Sequence, residues 1–521
     1  MLTRQEWEAQ DAMGIAALIK SGEINAREAV ETAIARIEQL NPVLNAVVYK
    51  AFDSALELAS RQKPSGPFAG VPYLLKDLNA PAQGLPLTNG SRLLAQAPAP
   101  FDSSMVARLR AAGFLILGRT NSPEFGLNIS TEPAAYGPTR NPWQLDRIAG
   151  GSSGGSAAAV SSGMVPAAHA TDSGGSIRIP AACNGLVGLK PSRGLNPAGP
   201  HRAQANEGIS HENLISRSVR DTAAILDVTS GPDAGAPYFF CKPPIGFLKA
   251  MQQRGKPLRI ALMTKTFSGE EICADAREGV HRTGSLLVEM GHHVEEAFPQ
   301  FDYELIQKSI FNLLFANLAA GVADFEQQRG SPAAEDELEP LSRAALERGR
   351  TMTLPEYLAA VAQLNRQVRR IGSFFEAQDV LVTPVLATDL PELGCLPTHG
   401  TDVDGHIERL LRIAPFALPF NGTGQPAISL PMHWTGSGLP VGIQFVGRLG
   451  QDATLLHLAA GLEEARNWFD RRPSFRETAD QQTTPGQTAV EKTVDRQTAV
   501  EQSVDRQTVD RRTAGQQAAN P

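Results

Sequence analysis

The chain has 521 residues, 42% of them hydrophobic, with 55 acidic against 48 basic side chains and a formal net charge of −7. That length and apolar content suffice for a sizeable core, and mild acidity without a basic stripe argues against nucleic acid as a direct partner. Four scattered cysteines with no CxxC pair, no run of 18 apolar residues and no secretory hydrophobic start set aside a disulfide scaffold, a membrane span and an exported chain, so a cytoplasmic protein is expected.

From about Glu6 to Leu40 apolar residues recur at helical spacing, with Ile15, Leu18 and Ile19 followed by Ala29, Val30, Ala33, Ile34 and Ile37. Asn41 and Pro42 are expected to stop the helix. Between Phe68 and about Arg220, short β-rich runs such as Leu115–Leu117 alternate with small-residue helical stretches, the pattern of an α/β layer structure and the expected catalytic core, 68–220. Inside it the apolar run Val71–Leu75 ends in Lys76. Burial disfavours an ammonium, so a lysine held there can be a neutral general base; the other reading is a snorkelling or Asp77-paired surface lysine.

Two glycine and serine clusters follow, Gly150–Ser156 and Thr171–Pro180. The first runs into Ala157, Ala158, Ala159 and Val160, which suits close helix packing rather than a flexible linker, and neither cluster has the Walker or GxGxxG pattern of a phosphate loop. Glycines around a serine let consecutive N–H groups converge on one oxygen, which acyl transfer requires. The run Ser173, Gly174, Gly175, Ser176 can supply such donors, with Ser176 as candidate nucleophile. His169 reads as a packed histidine, and Cys183 as a packed thiol.

The segment from about Pro257 to Thr388 returns to strand and helix alternation, with strands expected at Leu258–Met263 and Val380–Thr383, and is expected to cover the site. The pair His292 and His293 lacks a third ligand at metal-like spacing, so it reads as a solvated turn, and neither a metal nor another cofactor is expected. From about Glu477 the chain turns to Gln, Thr, Asp, Arg and Glu, with an imperfect repeat of Gln487–Arg496 in Gln497–Arg506, so 477–521 is expected to be a disordered low-complexity tail behind a 1–476 enzyme domain.

Lys76 after an apolar strand, GGSSGG at Gly150–Gly155, and Ser176 placed 24 residues after Ser152 together resemble the amidase signature family of serine hydrolases. The resemblance covers roughly residues 6 to 475. It implies an α/β fold with a central mixed β-sheet covered by helices on both faces. It also implies a Ser-Ser-Lys relay, with Lys76 as base, Ser152 as bridging serine after a cis peptide bond, and Ser176 as the acylated nucleophile. Ser173, Gly174, Gly175 and Ser176 would hold the oxyanion, while Ser153, Asp172 and Arg178 would support the loop. Gly118–Gly126 resembles one wall of the acyl pocket, and Pro419–Pro431 and Leu439–Gln444 resemble the closing strands.

Ser65–Asp77, Thr131–Pro133, Thr139–Trp143 and Gly188–Gly194 look most like the branch containing 6-aminohexanoate cyclic dimer hydrolases, which implies a small linear or cyclic amide as substrate. Leu127 places an apolar residue in the pocket stretch, where a polar one could bind a second amide. The alternative is the glutamine-hydrolysing component of a tRNA-dependent amidotransferase, but Gly208–Ser216 lacks the SLDQIG expected of it. No nucleic acid or membrane partner is expected, and a homodimer is a candidate assembly.

Overall fold

Eleven strands among the described residues build one mixed sheet: β1 (Val47–Lys50), β2 (Pro72–Lys76), β3 (Leu115–Thr120), β4 (Ala167–Asp172), β5 (Val187–Lys190), β6 (His211–Ser216), β7 (Arg259–Leu262), β8 (His293–Glu296), β9 (Val380–Pro384), β10 (Ala427–Trp434) and β11 (Pro440–Gly447). Their spatial order is β1-β3-β2-β4-β6-β5-β10-β11-β9-β7-β8. Strands β3, β2 and β4 run parallel, as do β9, β7 and β8, and antiparallel pairs join these groups. The structure, a computed structural model, describes residues 2–61, 65–94, 98–253 and 255–473, so the tail expected at 477–521 lies outside the described residues. The strands expected at Leu258–Met263 and Val380–Thr383 are β7 and β9, and they extend the same sheet.

Side chains of successive strand residues point to opposite faces, and here they sort into two cores. Ile260, Leu262, Val380, Val382, Ile428, Leu430 and Phe445 pack with helices Val219–Thr229 and Asp452–Arg466, through Leu226, Leu455 and Leu462 among others. Their neighbours Ala261, Leu381, Ala427 and Val446 enter the other core, against Ile306, Ile310, Leu364, Ile371 and Phe420 from the opposite helical layer. Strands buried on both faces read as continuous apolar runs, which is why β7 and β9 stand out in the sequence.

The N-terminal helical stretch divides into Arg4–Glu8, Ala12–Ser21 and Ala26–Leu44, because Asp11 caps the second helix, Gly22 ends it in the left-handed region, and Asn25 with Glu28 forms a capping box for the third. The expected stop at Asn41–Pro42 is corrected: the helix runs through Pro42 to Leu44. Pro42 sits in the last turn, which Asn45 N–H closes onto the Asn41 carbonyl at 2.8 Å, while Asn41 Oδ1 accepts from Ala46 and Val47 N–H at 2.8 and 2.7 Å. At the other end Pro419–Thr423 is a short helix with proline in its first turn, and the closing strand begins only at Ala427. Helix Tyr303–Arg329 is long and apolar enough to cross a membrane by length and composition, yet Ile306, Ile310 and Leu313 lie in the core, as in the buried helix of a globular fold.

Every residue of helix Gly154–Ser161 is buried, and its small side chains let the backbone approach the sheet closely. A Cβ on Gly155 would stand 2.4 Å from Asn121 N and 2.6 Å from the Ala46 carbonyl, both rigid backbone atoms. Gly155→Ala is therefore expected to destabilise the fold by about 3 kcal/mol, which a chemical denaturation midpoint measures.

Candidate active site

Lys76 is the last residue of β2, fully buried, with Nζ 2.7 Å from Ser152 Oγ and 2.8 Å from Thr171 Oγ1. Burial drives its pKa well below the ordinary lysine value, and the charges of Asp172 and Glu212 oppose that shift without reversing it. The surface-lysine reading fails, because Asp77 instead accepts from Thr88 N–H at 2.9 Å and lies 3.9 Å from Arg119. Ser152 follows a cis peptide bond from Gly151. The strand end and the loop before helix Gly154–Ser161 thus bring Lys76 and Ser152 together, although 76 residues separate them. Thr171 is the group that motifs alone do not assign, since its contact with Lys76 depends on how β4 lies against β2.

Ser173–Ser176 form the turn between β4 and helix Arg178–Asn184. Asp172, fully buried, shapes that turn: Oδ1 accepts from Gly175 N–H at 2.7 Å, and Oδ2 accepts from Ile177 N–H at 3.2 Å. Arg178 donates to both carboxylate oxygens, through Nε and Nη2 at 2.9 Å each. Burial alone would raise the Asp172 carboxyl, but the Arg178 guanidinium holds it well below the usual carboxylate range. Arg178 in turn reaches Gln444 Oε1 and Asn421 Oδ1 at 2.6 Å, and Asn421 Nδ2 donates back to Asp172 Oδ1 at 2.9 Å. The stretches holding Asn421 and Gln444 read as fold elements in the sequence, whereas these two side chains brace the turn.

One of the four N–H groups expected to hold the oxyanion is engaged by this bracing. Gly175 N–H is committed to Asp172, while the N–H groups of Ser173, Gly174 and Ser176 have no acceptor among the described residues. Gly175 has φ +124, and a Cβ there would meet Ile179 Cδ1 at 2.5 Å and Ala417 Cβ at 2.8 Å, so no side chain fits. Ser176 is 8% exposed against 1% for Ser152 and 0% for Lys76, so burial deepens from the nucleophile candidate toward the base candidate. Ser153 Oγ donates to the Thr171 carbonyl at 3.3 Å, fastening the loop to β4.

The stretch Gly118–Gly126 ends beside the same serine. A Cβ on Gly126 would sit 3.2 Å from Ser152 Oγ, and the preceding Phe125 has φ +50, an uncommon conformation for a bulky side chain. Phe125 packs on Leu93, Ala319, Val322, Leu338 and Leu346, and Leu127 packs on Phe315, Leu341, Ala345 and Val403. A cleft of about 620 Å³ borders Phe311, Phe315 and Ile407 of that second cluster.

His169 is buried with Nε2 3.3 Å from Glu212 Oε2. His292 Nδ1 accepts from Leu258 N–H at 3.1 Å, tying the turn before β8 to the residue before β7. Cys183 is a free thiol that burial pushes up, away from reactivity.

A model of the Amidase family matches residues 28–456. The chain is 39% identical over 481 residues to a 6-aminohexanoate-cyclic-dimer hydrolase of Pseudomonas sp. (strain NK87), covering 89% of this chain and 96% of that protein. A solved 6-aminohexanoate cyclic dimer hydrolase superposes with a TM-score of 0.85 at 37% identity, over 90% of this chain and 99% of the other. The glutamyl-tRNA(Gln) amidotransferase component of Thermotoga maritima superposes at 0.72 with 25% identity, over 91% and 99%. On a mixed sheet with these relatives, the chain belongs to the amidase signature family and is an amidase, a hydrolase of carbon–nitrogen bonds.

Proposed function

We propose that the protein cleaves a small linear or cyclic amide through a Ser-Ser-Lys relay and an acyl-enzyme. The observation that carries this reading is the fully buried Lys76 amine, lowered in pKa and 2.7 Å from Ser152 Oγ. Neutral Lys76 takes the Ser152 proton, Ser152 takes the proton of Ser176, and Ser176 Oγ attacks the amide carbonyl. Three unengaged N–H groups, of Ser173, Gly174 and Ser176, receive the oxyanion, and Ser152 returns a proton to the leaving amine. Water then frees the acid. No histidine takes part, so the base is present only above the lysine pKa and activity falls on the acid side as Lys76 gains its proton.

The likeness to relatives named for 6-aminohexanoate dimers supports an aliphatic amide as substrate, while the apolar Leu127 offers no polar group to a second amide. The amidotransferase reading is set aside, since that component stands at 25% identity against 37% for the dimer hydrolase. The test is amine or ammonia release by the purified chain from 6-aminohexanoate cyclic dimer, linear aliphatic amides and glutamine. Hydrolysis of the dimer or the linear amides that Ser176→Ala abolishes supports the reading, and turnover of glutamine alone contradicts it.

A further inference from the structure

Glu212 stands on β6 directly opposite Thr171 in the antiparallel β4/β6 ladder, and cross-strand partners share a face with Cβ atoms about 5 Å apart. Thr171 Oγ1 is 2.8 Å from Lys76 Nζ, so Thr171 neighbours both the proposed base and, across the ladder, Glu212. His169, two residues before Thr171 on the same face, holds Glu212 Oε2 at 3.3 Å. Asp172 and His211, the next ladder pair, point to the other face, with Lys190 and Arg178 acting on Asp172 there. Just past the strand of Lys76, Asp77 is turned to Thr88 and Arg119.

The two carboxylates near Lys76 differ in what they meet. Asp172 is paired with the Arg178 guanidinium at 2.9 Å, whereas Glu212 Oε2 lies 3.3 Å from a ring nitrogen of His169. Glu212 also reaches a cleft bordered by Asn196, Ser210 and Asp233, and its side chain is 15% exposed. A fully buried amine with no counter-charge would be too weak a base to draw a proton from a serine hydroxyl.

We infer that Glu212, anchored by His169 across the ladder from Thr171, is a positioning residue for Lys76 that keeps its amine basic enough to drive the relay. The inference rests on Lys76 being the base. Removing the charge at 212 weakens the base, so the acid limb of activity moves to lower pH while the plateau rate falls. A role confined to Lys76 leaves substrate affinity unchanged.

The experiment follows the rate of Ser176 labelling by a fluorophosphonate against pH, together with kcat and KM on the best amide substrate, in wild type, E212Q, E212D and K76M. The expected result is an acid limb about one pH unit lower in E212Q, a several-fold lower plateau and an unchanged KM. E212D, which keeps the charge, follows the wild-type profile. Should E212Q fail to fold, H169M, which frees the carboxylate toward the cleft, is read in its place with a shift in the same direction. A folded E212Q, or H169M in its stead, with the wild-type limb overturns the inference while slow labelling in K76M leaves the relay standing. K76M labelling as fast as wild type overturns both.

Discussion

Lys76→Met is expected to lower kcat by about 10³-fold with little change in KM, because the hydrogen-bond partners of the buried amine are Ser152 and Thr171. The same substitution has a stability signature. The lysine pKa is lowered well below its ordinary value on folding, so over the range between the folded and unfolded values the unfolded chain binds the extra proton. Wild-type stability therefore rises with pH through that window and levels off above the ordinary lysine pKa. Methionine removes this dependence, so the stability of wild type relative to Lys76→Met is expected to increase as pH is raised from neutrality toward 10.5, the ordinary value. Urea midpoints of both proteins at a series of pH values measure it, and parallel curves would speak against a neutral buried amine.

Asp172→Asn is the second large effect. The carboxylate neutralises a fully buried guanidinium and fixes Gly175 and Ile177 N–H, and an amide can replace neither the charge nor all the acceptor positions. Breaking a buried pair from one side costs about 3–5 kcal/mol, and the turn that carries the proposed oxyanion donors loses its template. The expected result is a large drop in denaturation midpoint together with a fall in kcat of about 10²-fold. Because the folded carboxyl is held low, the pair's contribution is complete above the usual carboxylate range and is lost only as acid protonates Asp172 below it. Retained kcat in a folded Asp172→Asn protein would show that the turn keeps its shape without the charge.

How much was legible in the sequence follows from what each residue depends on. Lys76, Ser152 and Ser176 stand out because glycines and an apolar run mark the local backbone that places them. The apolar runs of β7 and β9 were equally plain, being buried on both faces. Thr171 and Glu212 carry no such mark: each becomes relevant through strand pairing, Thr171 beside β2 and Glu212 across the ladder from it. Asn421 and Gln444 are more remote still, more than 240 residues from Arg178, which they hold. Pro42 misled for a different reason. Its missing N–H matters less near a helix end, where Asn41 supplies the capping groups.

The most direct test of the relay is intact-protein and peptide mass spectrometry of enzyme quenched in acid during turnover of a hydrolysed amide. A mass increase equal to the acyl group, located on the peptide containing Ser176 and absent from Ser176→Ala, is the predicted result. An acyl group carried on any other residue, or turnover that persists in Ser176→Ala, would contradict it.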